Sequence, residues 1–222
     1  MSYSLSLFEA IRAGDAGKVR ELLSSDSSLV NARNAQGLSA VLLSSYMGRK
    51  EIRDLLIERG ANLELQEAVA AGKLPLVKEF VDASPELAKG FSSDGFPFVA
   101  LAAAFGHEDV VKYLYGNGAD INAAATNGTG YNSLTGAVAG SHTSVAKWLV
   151  ENGAAVNYRY ARGHSPFLEA AANGNLEIVK TLVAHGVDIF ARTDDGKSAL
   201  TFAQERGHKE LAEYLCGLGL TS

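Results

Sequence analysis

Residues 92–122 read SSDGFPFVALAAAFGHEDVVKYLYGNGADIN, and residues 160–190 read YARGHSPFLEAAANGNLEIVKTLVAHGVDIF. Both stretches begin with a glycine-containing turn and a run of small apolar residues, and both then pass through a second glycine. Apolar residues recur at offsets of about four, five, eight and nine from that second glycine, which places them on one face of a helix. Each stretch therefore predicts two short helices joined by a tight turn.

The second glycine recurs along the whole sequence at a nearly constant interval. It is found at Gly14, Gly48, Gly72, Gly106, Gly174 and Gly207, and Ser141 takes the equivalent place between Gly106 and Gly174. The intervals, with Ser141 included, are 34, 24, 34, 35, 33 and 33 residues. A period of this length indicates a repeat architecture, in which neighbouring helix pairs must stack because one pair is too small to bury its own apolar face.

We therefore predict seven helix pairs in an all-α fold. Their ranges are 4–33, 34–64, 65–91, 92–124, 125–159, 160–192 and 193–222. The first and last pairs carry polar residues such as Arg12 and Lys209, and we expect them to cap the stack. This prediction treats residues 1–222 as a single domain.

The two quoted stretches resemble the ankyrin-repeat family, whose repeats follow the pattern DxxGxTPLHxAAxxGHxxIVxxLLxxGAxxN. They match it in register, and the resemblance extends over essentially the whole chain. It implies an ankyrin-repeat solenoid of about seven stacked helix pairs with short hairpin-like loops, here called fingers. It also implies a concave surface, made from the finger tips and the first helix of each pair, that holds another protein. The layout is similar to that of small stand-alone bacterial ankyrin-repeat proteins.

Two departures from the pattern are expected to shape the fold. The short interval between Gly48 and Gly72 leaves no room for a finger, so one loop should be missing near residues 61–66. The loop ATNGTGYNS at 125–133 carries two extra residues, and its tip should project and expose Tyr131.

Composition limits the class of protein and its partners. Hydrophobic residues make up 47% of the chain and charged residues 20%, which argues against disorder. A net charge of -5 gives no broad attraction to phosphate backbones, so we expect no nucleic-acid partner. The sequence shows no secretory signal and no apolar run long enough to span a bilayer. We therefore expect no membrane association, a cytoplasmic location and a monomer.

The sequence contains no phosphate-binding glycine loop and no HExxH, CxxC or GxSxG motif. His107, His142 and His208 share one slot after the inter-helix turn, where the resemblance implies a histidine that hydrogen-bonds the loop. Cys216 falls on the apolar stripe and is expected to be a small buried residue. We therefore predict no catalytic residue, no cofactor and no metal, and expect that the protein is not an enzyme.

Two clusters of large side chains occupy slots that vary between repeats, and these are the predicted partner-binding residues. One cluster, beside the missing finger, consists of Tyr46, Met47, Phe96 and Phe105. The other, around the segment YRYARGH, consists of Tyr158, Tyr160, Arg162 and His164, with Tyr131 on the preceding finger. Tyr and Arg dominate protein-binding hot spots because they supply large contact area and directed hydrogen bonds. Alternatively, Phe96 and Phe105 fill the gap at the shortened repeat, and Tyr158 and Tyr160 merely cover the stack.

The predicted function is a non-catalytic protein–protein interaction module that binds a partner protein on its concave face, to inhibit it or to scaffold a complex. A second possibility is a small-molecule-binding or enzymatic protein with a pocket at the shortened repeat. The slots there are apolar or Ala, which does not suit acid–base chemistry. A third possibility is a host-directed effector.

Overall fold

Short α-helices joined in pairs by tight turns make up the computed structural model, which describes residues 3–221. In chain order the helices of this range are α1 Tyr3–Ala13, α2 Ala16–Ser25, α3 Ala40–Tyr46, α4 Lys50–Glu58, α5 Leu65–Ala70, α6 Leu74–Ala83, α7 Phe98–Ala104, α8 Glu108–Gly116, α9 Ser133–Ala139, α10 Thr143–Glu151, α11 Pro166–Ala172, α12 Leu176–Ala184, α13 Ala199–Glu205 and α14 Lys209–Gly217. Short 3-10 segments lie at Ser27–Asn31, Pro85–Lys89 and Ala161–Gly163. Residues 3–221 contain no extended strand, so the predicted all-α solenoid of helix pairs is confirmed.

The chain divides into two compact units, residues 1–77 and residues 78–222, and the boundary lies inside α6. Within the first unit, α1 packs on α2 and α3, and α3 packs on α4 and α5. Within the second unit, the first helices of the pairs, called inner helices, pack one on the next in the order α7, α9, α11 and α13. Their partners, the outer helices α8, α10 and α12, form a second row in the same order. The single-domain organisation predicted from the sequence stays a prediction.

Apolar side chains from successive pairs bury one another within each unit. In the second unit Leu134, Leu149, Phe167 and Ile178 are at most 1% exposed. Burial of one such side chain contributes about 1.5–3 kcal/mol to folding. Stacking of neighbouring pairs is therefore the main source of stability within this unit.

Polar caps fix the residues at which the inner helices begin. The side chains of Asn132 and Ser198 accept hydrogen bonds from the amides three residues later, at 3.0 and 3.1 Å. Each bond satisfies an amide that the first helical turn leaves without a partner. The starts of α9 and α13, and with them the ends of the preceding fingers, are set in this way.

The turn between the two helices of a pair requires one residue with a left-handed backbone. Gly106 has φ of 77°, and a Cβ there would lie 2.5 Å from Nδ1 of His142, a residue of the next pair. Ser141 occupies the equivalent turn with φ of 56°, as its place in the sequence ladder predicted. A non-glycine residue in this conformation costs about 1–2 kcal/mol, which stacking of the pairs offsets.

A histidine or arginine of the following pair donates a hydrogen bond to a backbone carbonyl just before this turn. The Nε2–H of His142 donates to the carbonyl of Ala104 at 3.0 Å, and His208 donates in the same way to Ala172 at 3.1 Å. The predicted scaffold role of these two histidines is confirmed. In the first unit Arg49 replaces the histidine, and its Nη2 donates to the carbonyl of Arg12 at 2.8 Å.

Asparagines join the ends of successive pairs. The Asn122 side chain accepts a hydrogen bond from the amide of Ala155 at 2.9 Å and donates to the carbonyl of Gly153 at 3.1 Å. Asn157 repeats both bonds one pair later, with the amide of Asp188 and the carbonyl of Gly186. Each asparagine thus fixes the distance between two neighbouring pairs.

The outer helices carry lysines that lie over aromatic rings of the next pair. Lys112 lies 5.8 Å from the Trp148 ring centroid, and Lys180 lies 5.4 Å from that of Tyr214. Each contact contributes about 0.5–1 kcal/mol at an exposed site. Trp148 and Tyr214 therefore already have cationic partners within the second unit.

Loop lengths agree with the two predicted departures. The connection from α4 to α5 is only Arg59–Glu64, and the β-bridge that closes the loop at 33–39 has no counterpart there. The loop predicted to be missing near residues 61–66 is therefore absent. The connection from α8 to α9, residues 117–132, is two residues longer than the connection at 152–165, as predicted. The expected exposure of Tyr131 is wrong, because its ring packs against Tyr160 and is half-buried.

The prediction that Cys216 is buried is wrong, because the structure exposes its side chain. In earlier pairs the residue at this offset is partly covered by the next pair, as the half-buried Val183 shows. Within residues 3–221, no helix follows α14 to cover Cys216.

Replacement of Gly106 by Ala is expected to lower the free energy of unfolding by about 2–4 kcal/mol, because the left-handed backbone and the His142 ring both oppose a Cβ. Gly207→Ala is the matched control, since φ there is 75° but nothing lies within 4 Å of the added Cβ. It should cost only the backbone part, about 1 kcal/mol. Urea unfolding followed by circular dichroism measures both losses. Equal losses would show that the His142 contact opposes no side chain.

Cys216 is expected to react in the native chain with a chromogenic disulfide reagent, at one thiol per chain, because its side chain is exposed. Its rate should lie within about tenfold of the rate in denaturant. A thiol that reacts only after denaturation would contradict the exposed position.

Candidate functional site

The predicted cluster around YRYARGH lies on the loop between α10 and α11, in the second unit. The amide of Tyr160 donates to the carbonyl of His164 at 2.9 Å, which closes a short finger before α11. At its tip Arg162 adopts a left-handed backbone with φ of 58°, and its side chain is exposed. The carbonyl of Arg162 accepts a hydrogen bond from the amide of Asp194, which anchors this tip to the following finger.

Tyr160 lies at the centre of a set of aromatic contacts. Its ring centroid is 5.2 Å from that of Tyr131 in an edge-to-face arrangement, and 6.5 Å from that of Tyr158 in a stacked one. On its other side the ring is 5.9 Å from His164, which in turn lies 5.9 Å from Phe202 of α13. The structure thus brings together the side chains of Tyr131, Tyr158, Tyr160 and His164.

Hydrogen bonds hold two of the tyrosines in place. The Tyr158 hydroxyl donates to the carbonyl of Gly130 at 2.6 Å, so it ties its finger to the preceding one. The Tyr160 hydroxyl donates to Oε2 of Glu169 at 3.3 Å. The predicted extra length of the loop at 125–133 is what brings Gly130 and Tyr131 within reach of the next finger.

Glu169 and Phe202 contact these side chains but are not among the residues predicted from the sequence. Glu169 is half-buried, and Phe202 is buried. Each precedes the inter-helix turn by five residues on its inner helix, α11 or α13. The helical period places this position on the same face as the two residues just before the turn. In other pairs those two positions hold the predicted residues Tyr46, Met47 and Phe105. That period is the signal that could have identified both Glu169 and Phe202.

An open groove of about 280 Å³ lies among these side chains. Its walls come from two successive fingers and one inner helix, and include Thr129, Tyr131, Tyr160, Arg162, His164 and Glu169. One wall is therefore aromatic, and one carboxylate and one guanidinium group also line the groove.

Burial and charge keep the groove tyrosines protonated. Burial raises the pKa of Tyr160 well above its usual range, and the carboxylate of Glu169 raises it further. Burial and then Glu169 raise the pKa of Tyr131 in the same direction. Both hydroxyls therefore stay protonated, and able to donate hydrogen bonds, at pH values where an exposed tyrosine begins to ionise.

The residues of the other predicted cluster fall in different units. Tyr46 ends α3 and is half-buried, and Met47 beside it is 41% exposed. Phe96 and Phe105 flank α7 and are both half-buried. Tyr46 and Met47 belong to the unit of residues 1–77, whereas Phe96 and Phe105 belong to that of residues 78–222. A common patch of all four side chains therefore stays a prediction.

Within residues 3–221, no three His, Cys, Asp or Glu side chains converge in a way that could hold a metal ion. No helix in this range is both long and apolar enough to cross a membrane.

Two family models match the sequence, and both describe ankyrin repeats. One, of three copies, matches residues 134–221, and the other, of many copies, matches residues 99–150. Together they cover residues 99–221, which is more than half of the chain.

Curated relatives match about half of the chain. The chain is 29% identical over 122 residues to Ankyrin repeat and SAM domain-containing protein 6 from Rattus norvegicus, a match that covers 55% of this chain and 11% of that protein. It is 30% identical over 126 residues to a Transient receptor potential cation channel subfamily A member 1 homolog from Caenorhabditis elegans, with 53% and 10% covered. The chain therefore spans about a tenth of the length of these relatives.

Ankyrin repeats are generally protein–protein interaction modules, and proteins built from them are typically non-enzymatic. The helix pairs, the left-handed turns between them and the bonds from one pair to the next give the matched sequence the structure of such repeats. On the sequence matches and the fold together, the chain belongs to the ankyrin-repeat family.

Proposed function

We propose that this protein is a non-catalytic interaction module that binds a partner protein across the fingers and inner helices of its second unit. The observation that carries the proposal is the run of ring contacts from Tyr131 through Tyr160 and His164 to Phe202. The rings of Tyr131, Tyr160 and His164 come from two successive pairs and are partly exposed, so a partner lying across them would meet all three. Phe202 of the next pair is buried and supports the His164 ring. The expected cytoplasmic location, monomeric state and scaffolding or inhibitory role belong to the same proposal.

The surface is organised before any partner binds. Tyr158 is held by the carbonyl of Gly130, and Tyr160 has aromatic neighbours on two sides. A side chain that is already fixed loses little conformational entropy in a complex, where ordering one costs about 0.5–1.5 kcal/mol. This favours recognition by a rigid surface rather than by a folding loop.

The residue types and their surroundings support protein recognition. Tyr and Arg are enriched among the residues that dominate binding energy, and Arg162 extends its exposed side chain beside the tyrosines. The neighbouring turn, between α9 and α10, presents the small exposed residues Ala139 and Gly140. Tyr46, Met47, Phe96 and Phe105 remain a second predicted contact, on which this proposal does not depend.

Combined replacement Tyr160→Ala with Arg162→Ala is expected to abolish capture of at least one protein that the wild-type chain retains from its native cell extract. Loss of two hot-spot side chains should weaken binding by at least about 2 kcal/mol, or about thirtyfold in Kd. The matched control, Tyr115→Ala with Lys112→Ala, removes one aromatic and one cationic side chain from the outer helix α8 and should capture the same proteins as wild type. Quantitative mass spectrometry of the three captures, followed by titration of the purified partner, measures the effect. If the finger variant is folded and retains every wild-type partner, the proposal is wrong.

Raising the pH is expected to destabilise wild type more than Tyr160→Phe. Because burial raises the pKa of Tyr160, the folded chain holds this proton when the unfolded chain has begun to lose it. The stability that depends on it is present below the ordinary tyrosine pKa of about 10 and is lost as pH rises above that value toward the folded pKa. Urea unfolding at about pH 8 and about pH 11 measures the loss for each protein. The same loss in both would show that Tyr160 is not packed as described.

A further inference from the structure

Glu169 is a half-buried carboxylate with few partners. Its side chain takes part in none of the ion pairs formed among residues 3–221. Its bond from the Tyr160 hydroxyl, at 3.3 Å, is long compared with about 2.7–2.8 Å for a good O–H···O bond. A partly desolvated carboxylate without a cation is costly, so a cation that entered the groove would gain a favourable partner.

The aromatic wall of the groove also lacks a cation. On the outer helices of the second unit, lysines lie 5.4–5.8 Å from the ring centroids of Tyr113, Trp148 and Tyr214. Among the described residues, no lysine or arginine lies over the ring of Tyr131 or Tyr160. Tyr113, Trp148 and Tyr214 thus have a lysine over their rings, whereas Tyr131 and Tyr160, beside Glu169, do not.

Charges around the groove determine which ligand it favours. Arg162 lines it, but this side chain is exposed and keeps its hydration, whereas Glu169 is half-buried. Lys197 is paired with Glu205 at 2.7 Å, and Arg159 lies 3.8 Å from Asp194. The least satisfied charge at the groove is therefore the negative charge of Glu169. A carboxylate ligand that pairs with Arg162 is the alternative that the test must distinguish.

We propose that the groove receives a lysine or arginine side chain of the partner protein, with its charged group near Glu169 and its stem against Tyr131 and Tyr160. The inference rests on the proposed function and specifies the chemistry of the partner. The open groove of about 280 Å³ has room for one extended side chain. Rings and a carboxylate together are suited to a cation, because each attracts positive charge.

The test is an NMR titration of the isotope-labelled full chain with Nα-acetyl-lysine amide. Nα-acetyl-lysine amide is expected to shift the backbone N–H resonances of residues 129–131 and 160–169. The shifts should saturate with a Kd of about 1–50 mM. Nα-acetyl-arginine amide should do the same. The neutral analogue Nα-acetyl-norleucine amide, of similar size, should leave these resonances unchanged up to the same concentration.

Two matched variants distinguish binding of the cation at Glu169 from a general attraction to the negatively charged chain. Glu169→Gln keeps the shape of the side chain but removes its charge, and should weaken lysine binding at least about fivefold, near 1 kcal/mol. Glu213→Gln removes an exposed carboxylate of α14, which takes part in no ion pair among residues 3–221, and should leave lysine binding unchanged. Circular dichroism spectra that match wild type establish that each variant is folded.

Several results would overturn the inference. These are equal binding of norleucine amide, preferential binding of Nα-acetyl-glutamate amide at the groove, unchanged lysine binding by Glu169→Gln, and no groove shift by either cationic probe. Partner capture distinguishes this failure from failure of the proposed function. If capture is lost with Tyr160→Ala and Arg162→Ala but unaffected by Glu169→Gln, the interaction surface stands and the cation site is wrong.

Discussion

Burial of apolar surface between neighbouring helix pairs is the constraint on which the rest of the structure depends. A pair such as α11 and α12 is too small to enclose its own apolar residues, so Phe167 and Ile178 reach full burial only because other pairs pack against them. Close packing of these side chains sets the distance between neighbouring pairs. The left-handed turn at Gly106, into which His142 fits without room for a Cβ, is one consequence of that distance.

Hydrogen bonds convert this regular stacking into a defined position for each finger. Asn122 and Asn157 bond to the backbone of the following pair, and His142 and His208 bond to the turn of a preceding one. The fingers begin and end on residues held in this way, so their tips are placed by the helices rather than by their own flexibility. The ring contacts around Tyr160 need such placement, because they join side chains from loops that are distant in sequence.

The sequence predicted the repeating features well, because they follow from period and side-chain size. Spacing alone identified the left-handed turn at Ser141 and the loop missing near residues 61–66. Cys216 was wrongly predicted to be buried, because its burial depends on a following pair rather than on its own helix. The pairing of Tyr160 with Glu169 was missed for a different reason, since it depends on the direction in which two side chains point. Phe190 occupies the repeat position at which Asn122 and Asn157 form hydrogen bonds with the next pair. Its side chain is instead 68% exposed.

The small residues that allow close stacking also restrict where binding energy can arise. Along the inner helices of the second unit, the slots before the turn hold residues such as Ala104, Ala139, Gly140 and Ala172, which offer a partner little contact area. Because buried area limits what each slot contributes, a partner would obtain most of its affinity from the larger side chains on the fingers. Regular stacking therefore provides a rigid support, while specificity falls to the few positions, such as Tyr160 and Glu169, where the repeats differ.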